Sequence, residues 1–300
     1  MVGAVTTVIE TRNLSKSFGR TRALDGLDLS VEQGEVHGFL GPNGAGKTTT
    51  IRVLLGLLKA DGGTATLLGA DTWTDIESIH RRIAYVPGDV TLWPNLTGGE
   101  VIDLLGRLRG DLDKDRRAAL LERFDLDPTK KCRSYSKGNR QKVALVAALA
   151  SRAEVFLLDE PTAGLDPLME AAFSDIARDL KDDGRTILLS SHILSEVERL
   201  SDRISIIRAG KVVEVGTLGE MRRLHTTNIS AVVRSPVPSL DSMPGVTGLT
   251  REGNRIRFAV DPDNLDTAIV ALGAAGLDSL LSEPPSLEQL FLSKYEGGAR

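Results

Sequence analysis

The chain is poor in cysteine, in long apolar runs and in clustered positive charge. Its one cysteine, Cys132, has no second cysteine to pair with and cannot build a cysteine metal cluster, so it reads as an incidental thiol. The longest unbroken apolar run covers residues 143–150, far short of the roughly 20 residues that a helix needs to cross a bilayer. Residues 1–12 lack the basic stretch followed by an apolar stretch that marks a secretory signal. The formal net charge is −4, and the basic pairs Arg81-Arg82, Arg116-Arg117, Lys130-Lys131 and Arg222-Arg223 are scattered. That distribution gives no basic stripe of the kind nucleic-acid binders carry, so no nucleic-acid partner is expected. No internal repeat and no low-complexity tract is visible. Together these absences predict a cytosolic protein that meets a membrane only through a partner.

Hydrophobic residues make up 41% and charged residues 26% of the 300, the balance of a globular protein with a sizeable core and one large or two ordinary domains. Residues 5–36 have strand-like patterning, with turn signals at Ser17-Phe18-Gly19 and Glu32-Gln33-Gly34. A short buried strand over 36–40 runs into a glycine-rich turn over 41–46. Ile51, Leu54, Leu55 and Leu58 then have helical spacing, predicting a helix over 48–58. Residues 96–150 read as mainly helical. A second apolar strand covers 155–158. Asp166-Pro167 is an N-cap followed by proline at the first helical position, and Phe173, Ile176, Ala177 and Leu180 line one face of the helix it opens, with Gly184 as the stop. A third apolar strand (186–189), a helix (193–200) and a strand pair (204–208 and 212–216) follow. Strands alternating with helices predict an α/β core with a largely parallel sheet.

The character changes after Thr226. Residues 234–244 hold three prolines and three serines and read as too broken for regular structure. Short strands are expected at 229–233, 246–250, 256–260 and 277–282, with a helix at 263–275. Ser286-Leu287-Glu288-Gln289 has the spacing of a capping box opening a last helix to about Tyr295. Residues 226–300 are therefore expected to form a small α+β accessory domain behind a main domain over 5–225.

Three features carry chemistry. Gly41-Pro42-Asn43-Gly44-Ala45-Gly46-Lys47-Thr48 fits the phosphate-loop pattern G-x-x-x-x-G-K-[ST], with the strand before it and the helix after it that the pattern requires. Its glycines let backbone N–H groups wrap phosphate oxygens, and the helix offers its positive N-terminal end to the anion. Lys47 is expected to reach the β- and γ-phosphates, and the Thr48 hydroxyl to ligate Mg²⁺. Next, Val155-Phe156-Leu157-Leu158-Asp159-Glu160 is an apolar strand that ends in two acids. In an α/β sheet such an end lies where ligands gather, so Asp159 is expected to hold Mg²⁺ and Glu160 to act as general base on water. A solvated acidic turn is the blander reading of that pair. Finally, His192 follows the third apolar strand after Ser190-Ser191, which gives it either a structural role or a contact with the γ-phosphate.

Over residues 5–220 these motifs, in this order, resemble the ATPases of the ABC (ATP-binding cassette) family. The resemblance adds the signature-like Tyr135-Ser136-Lys137-Gly138-Asn139-Arg140-Gln141 and the Gly164-Leu165-Asp166-Pro167 segment. It implies a P-loop NTPase core with an antiparallel β subdomain and a helical subdomain at about 95–150. It also implies ATP and Mg²⁺ as cofactors, Thr49 as part of the phosphate loop, and an ATPase working as a head-to-tail homodimer or heterodimer. Ser136 and the Gly138 backbone would bind the γ-phosphate held by the opposite subunit, Asp166 would communicate across the pair, and Phe18 would stack on adenine, with a core position as its alternative. The partner implied is a separate transmembrane permease, with this subunit peripheral on the cytoplasmic face of the plasma membrane.

Departures from the family pattern bear on the mechanism. The usual signature reads L-S-G-G-Q; Tyr135, Lys137 and Asn139 replace its first, third and fifth residues while Ser136 and Gly138 remain. This variant resembles those of bacterial drug and antibiotic exporters, as does the tail Pro285-Ser286-Leu287-Glu288-Gln289-Leu290-Phe291. In Tyr85-Val86-Pro87-Gly88-Asp89, Gly88 stands where the family has a glutamine that contacts Mg²⁺ or water and couples to the membrane subunit. Asp89, one residue on, turns its side chain away on an extended segment. Residues 88–100, with Trp93 and Leu96, would meet a coupling helix of the permease, although Trp93 also fits a core position. The expected function is an ATP-hydrolysing motor for efflux of drugs, antibiotics or lipids. The runner-up is a soluble ABC ATPase acting on nucleic acid or ribosomes, which one cassette and one cysteine argue against. A third reading, a regulatory subunit that hydrolyses poorly, is opposed by Glu160 and slightly favoured by Gly88.

Overall fold

A computed structural model describes residues 6–110, 112–223 and 226–283. The capping box at Ser286 and the tail pattern 285–291 lie outside the described residues. The chain divides into two compact units, Met1–Val215 and Gly216–Arg300.

The elements of the first unit follow in chain order. Strands β1 (Thr7–Phe18), β2 (Thr21–Glu32) and β3 (Val36–Leu40) precede helix α1 (Lys47–Leu54). Then come β4 (Gly62–Leu67), β5 (Ala70–Asp71), α2 (Ile76–His80) and β6 (Ile83–Val86). Helices α3 (Gly98–Arg109), α4 (Lys114–Arg123) and α5 (Lys137–Leu149) make up the helical stretch. The unit closes with β7 (Val155–Asp159), α6 (Pro167–Asp182), β8 (Thr186–Ser191), α7 (Leu194–Leu200), β9 (Arg203–Arg208) and β10 (Lys211–Gly216).

Two sheets organise this unit. β2, β1, β4 and β5 form an antiparallel sheet in that order. The second sheet has the order β10-β9-β3-β8-β7-β6, with β9, β3, β8, β7 and β6 all parallel. Every residue of β3, β7 and β8 is buried, the near-continuous apolar run expected of parallel strands covered on both faces. Period-two alternation sends the side chains of β7 into two different cores. Phe156 and Leu158 pack with residues of α5 and α6, such as Leu145 and Phe173, while Val155 and Leu157 pack with α1 and the antiparallel sheet.

Where the structure differs from the sequence reading, local chemistry supplies the reason. The helix expected over 48–58 ends at Leu54, because Gly56 enters the left-handed region at φ 64° and turns the chain. Leu58 still packs against the same core from the loop beyond. The mainly helical stretch breaks into three helices. A capping box opens α3, with the Thr97 hydroxyl accepting from Glu100 N–H and the Glu100 carboxylate accepting from Thr97 N–H, and Gly110 closes it. Asp113 caps α4 by accepting from Arg116 N–H at 3.0 Å.

The second unit opens with a short helix, α8 (Leu218–Arg223), and continues with β11 (Thr227–Val233), β12 (Val246–Glu252), β13 (Arg255–Val260), α9 (Leu265–Ala274) and β14 (Leu277–Glu283). Its sheet is antiparallel in the order β12-β13-β11-β14. Alternate residues Ile229, Ala231 and Val233 of β11 and Ile256, Phe258 and Val260 of β13 pack with Ala268 and Leu272 of α9 in one small core. The proline-rich stretch at 234–244 contains a single 3₁₀ turn, Pro238–Asp241, whose Leu240 is buried in that core.

Candidate functional site

Three parallel neighbours, β3, β8 and β7, end side by side, and each carries one part of the site at its C-terminal end. The loop after β3 runs from Gly41 to Gly46, where φ reaches 116°, a conformation open to glycine alone. Helix α1 then begins at Lys47 with no side-chain cap, so the N–H groups of its first turn remain available to an anion. Pro42, Asn43, Gly44, Gly46, Lys47, Thr48 and Thr49, with Glu160, line a cleft of about 130 Å³. Ala45 is buried behind the loop, and Gly41 packs so closely on β9 that a Cβ there would stand 2.5 Å from the Ile207 carbonyl oxygen.

Lys47 is buried, and its ammonium donates to the Gly41 carbonyl at 2.6 Å and to the Pro42 carbonyl at 3.2 Å. It also lies 3.6 Å from Glu160 Oε1. Burial lowers the Lys47 pKa, and the Glu160 carboxylate opposes that shift. The Thr48 hydroxyl donates to Asp159 Oδ2 at 2.8 Å, so two hard oxygen ligands from α1 and β7 sit together. Asp159 is 3% exposed, which rules out a solvated acidic turn. Its other oxygen accepts from the Ser190 hydroxyl of β8 at 2.5 Å. These oxygens suit Mg²⁺, which takes one or two protein ligands and completes its shell with phosphate and water. Among the described residues no group of three or more His, Cys, Asp or Glu comes together to hold a metal ion.

Glu160 follows with φ at 49°, an unusual conformation for a side-chain-bearing residue. Its N–H donates to the Ser190 carbonyl at 3.0 Å, which holds the turn. Glu160 Oε1 lies 3.2 Å from His192 Nδ1 and 3.6 Å from Lys47 Nζ, so a carboxylate, an imidazole and an ammonium converge on one point. Glu160 and His192 are both partly open to solvent.

The remaining predicted residues do not line this cleft. Phe18 closes the β1–β2 hairpin, paired with Thr21, and is 50% exposed rather than in the core. The Lys16 ammonium sits 5.9 Å from the centre of its ring. Ser136 caps α5, its hydroxyl accepting from Asn139 N–H at 3.2 Å. Gly138, in the first turn of α5, lies so near the loop after β7 that a Cβ would stand 2.4 Å from the Gly164 carbonyl oxygen. Asp166 caps α6 by accepting from Met169 N–H at 3.0 Å. Gly88 lies beside the carboxylate strand, its missing Cβ 3.2 Å from the Asp159 carbonyl oxygen, and Asp89 is exposed. Trp93 is 50% exposed and borders a groove with Tyr85, Pro87, Leu105 and Leu108, while Leu96 is partly buried against the core.

Sequence reasoning named Ser190 and Gln141 but gave them no role; Ser190 orients Asp159, and the Gln141 amide donates to the Pro161 carbonyl at 3.0 Å and ties α5 to the end of β7. It passed over Glu196. The one available signal was that Glu196 shares the buried face of α7 with Val197 and Leu200, an unusual place for an acid.

The comparisons with known proteins agree on one family. The family profile described as ABC transporter matches residues 24–163. The chain is 41% identical over 229 residues to the daunorubicin/doxorubicin resistance ATP-binding protein DrrA of Streptomyces peucetius, covering 75% of this chain and 69% of that one. It is 38% identical over 301 residues to the daunorubicin resistance ATP-binding protein DrrA3 of Streptomyces coeruleorubidus, with 95% of each chain covered. Among solved structures it resembles a dimeric ATP-binding cassette in a post-hydrolysis state bound to ADP and Pi, with a TM-score of 0.63 and 25% identity, covering 70% of this chain and 98% of that one.

Proposed function

The chain belongs to the ABC transporter family of ATP-binding proteins, and on that footing we propose that it drives export of a drug- or antibiotic-like compound through a separate membrane-spanning permease. It is an ATPase, and its relatives are ATP-binding subunits of drug and antibiotic resistance transporters. No helix among the described residues is long and apolar enough to cross a membrane. ATP is the substrate. The observation that carries the assignment of catalytic roles is the convergence of Lys47 and His192 on Glu160 Oε1, with Asp159 and Thr48 paired alongside.

In this reading the N–H groups at the start of α1 and the Lys47 ammonium bind the β- and γ-phosphates. Thr48 and Asp159 would hold Mg²⁺, which would supply charge neutralisation for those phosphates. Glu160 orients a water and takes its proton as the water oxygen bonds to the γ-phosphorus. The bond from phosphorus to the bridging oxygen breaks, giving ADP and inorganic phosphate. His192 holds Glu160 on one side and the transferring phosphoryl group on the other. Cassettes of this family work as pairs, and one relative of known structure is a dimer. Ser136 and the N-terminal turn of α5 complete the site of the opposite subunit, Asp166 lies at the seam, and the exposed Phe18 ring stacks on adenine. The groove beside Trp93 receives the permease, on the cytoplasmic face of the plasma membrane. Residues 226–300 form an accessory domain of the motor.

The test is purification of tagged Glu160→Gln from detergent-solubilised host membranes with ATP and Mg²⁺. A multi-spanning membrane protein recovered in near-equal amount is expected. Recovery only from the soluble fraction, with ribosomes or nucleic acid, would move the assignment to the non-transport ABC ATPases.

A further inference from the structure

Glu196 is 5% exposed, on the inner face of α7, and none of the roles above uses it. Its two carboxylate oxygens serve the turn after β7 and the end of β8. Oε1 accepts from the Thr162 hydroxyl at 2.8 Å, and Oε2 accepts from the Ser191 hydroxyl at 2.5 Å. Thr162 and Ser191 are themselves buried. Thr162 lies two residues beyond Glu160, in the turn closed by Ala163 N–H donating to the Glu160 carbonyl at 3.1 Å and Leu165 N–H donating to the Thr162 carbonyl at 3.0 Å. Ser191 immediately precedes His192. Its hydroxyl accepts from Ile193 N–H at 2.9 Å, and its carbonyl accepts from Gly41 N–H, the first residue of the phosphate loop, at 3.3 Å.

We propose that Glu196 is a positioning residue for hydrolysis, a single buried carboxylate that fixes the Glu160 turn and the His192 loop relative to one another. The argument is geometric. Glu160 and His192 arrive on neighbouring strand ends, and beyond those ends neither loop has a ladder to hold it. The two hydroxyls, one in the turn after β7 and one at the end of β8 just before His192, meet on one group carried by a third element. Burial of an acid is unfavourable unless its hydrogen bonds are met, and here both oxygens have donors. Burial raises the Glu196 pKa, and the two hydroxyls act in the opposite direction by stabilising the charged form. A displacement of about 1 Å between groups that must act together lowers a rate by as much as about 100-fold. Substrate binding, which rests on the phosphate loop, is spared.

The inference rests on the assignment of Glu160 and His192 as catalytic groups, so its test carries a control for that assignment. Steady-state ATP turnover and the affinity for a fluorescent ATP analogue are measured on the full chain for Glu196→Ala, Glu196→Gln, Thr162→Val, Ser191→Ala and the double variant Glu196→Ala/Thr162→Val, with Glu160→Gln alongside. Glu196→Ala should lower kcat about tenfold or more while nucleotide affinity stays within about twofold. Glu196→Gln, which keeps the shape and one acceptor, should restore most of the turnover. Thr162→Val removes one hydroxyl and leaves the packing intact; its effect should vanish in the Glu196→Ala background, the mark of two groups acting as one unit. Turnover near wild type in Glu196→Ala with Glu160→Gln inactive overturns the positioning role alone. Affinity and turnover falling in step in Glu196→Gln and Thr162→Val reduce Glu196 to a structural tie and also overturn it. Full turnover in Glu160→Gln overturns the catalytic assignment and this inference with it.

Discussion

Replacing Gly138 with alanine asks for space that the fold does not have. The added methyl would stand 2.4 Å from the Gly164 carbonyl oxygen, a backbone atom that cannot swing aside. Relief requires α5 and the Gly164 turn to separate by roughly 0.6 Å or more, and overpacking of that kind costs about 1–3 kcal/mol in well-packed proteins. The first turn of α5 is also where Ser136 caps the helix and where Lys137 methylenes rest 3.6 Å from where a Gly164 Cβ would stand. A shift there therefore moves Ser136 and the N–H groups that the opposite subunit's nucleotide would meet. Two readouts should respond together. Thermal unfolding should fall by roughly 2–4 °C for each kcal/mol lost in a domain of this size. ATP turnover should fall about tenfold or more, with little change in affinity for nucleotide at the phosphate loop of the same chain. A midpoint within about 1 °C of wild type would refute the steric argument. A normal midpoint with lost turnover would assign Gly138 to ligand contact alone, whereas a lowered midpoint with normal turnover would remove α5 from the reaction.

Three further outcomes are expected. Lys47→Met should weaken ATP binding by about 100-fold or more in an equilibrium binding assay, because the one buried ammonium in the phosphate cleft is removed. Gly88→Gln should alter the turnover rate or its Mg²⁺ dependence, since the new side chain starts 3.2 Å from the Asp159 carbonyl and 3.7 Å from Glu160 Cβ; unchanged kinetics would end the idea that this loop sets metal coupling. The third concerns Glu196, whose folded pKa is raised by burial above its unfolded value of 4.5. The folded state then holds the proton more tightly than the unfolded one, so stability is greatest below the unfolded pKa and declines as pH rises towards the folded pKa. Glu196→Gln should therefore gain stability relative to wild type as pH rises above the unfolded value of 4.5 in denaturant titrations, and a flat difference would contradict it.

Much of the site was legible because its chemistry is tied to short spacings. The phosphate loop needs glycine, lysine and threonine within one turn, and an apolar strand that ends in Asp159-Glu160 announces its own burial and its own exit. What stayed hidden depends on contacts between distant segments. Ser190 and Glu196 are ordinary residues in sequence, and only the adjacency of β7 and β8 turns them into partners of Asp159 and of the Glu160 turn. The closeness of Gly138 to Gly164 is likewise a fact of packing between α5 and the loop after β7. Residues 59–86 carried little periodic signal, because β4, β5, α2 and β6 are short, and short elements are held by their neighbours rather than by their own pattern. Helix ends moved for local reasons, as at Gly56, where a single left-handed residue overrode the apolar spacing that ran on to Leu58.

The order β3-β8-β7 also bears on how the chain comes into being. The three strands that carry the phosphate loop, His192 and the two acids are nearest neighbours in space, yet they lie at Val36–Leu40, Thr186–Ser191 and Val155–Asp159 in sequence. During synthesis the first pairing partner of β3 in this trio is the last of them to appear. Until β8 inserts between β3 and β7, the loop and the carboxylates cannot share a ligand, and such long-range parallel pairing is slow to form. A nucleotide that bridges the loop and the carboxylates therefore favours chains in which β8 has closed this sheet, which makes the bridged complex a readout of that late pairing.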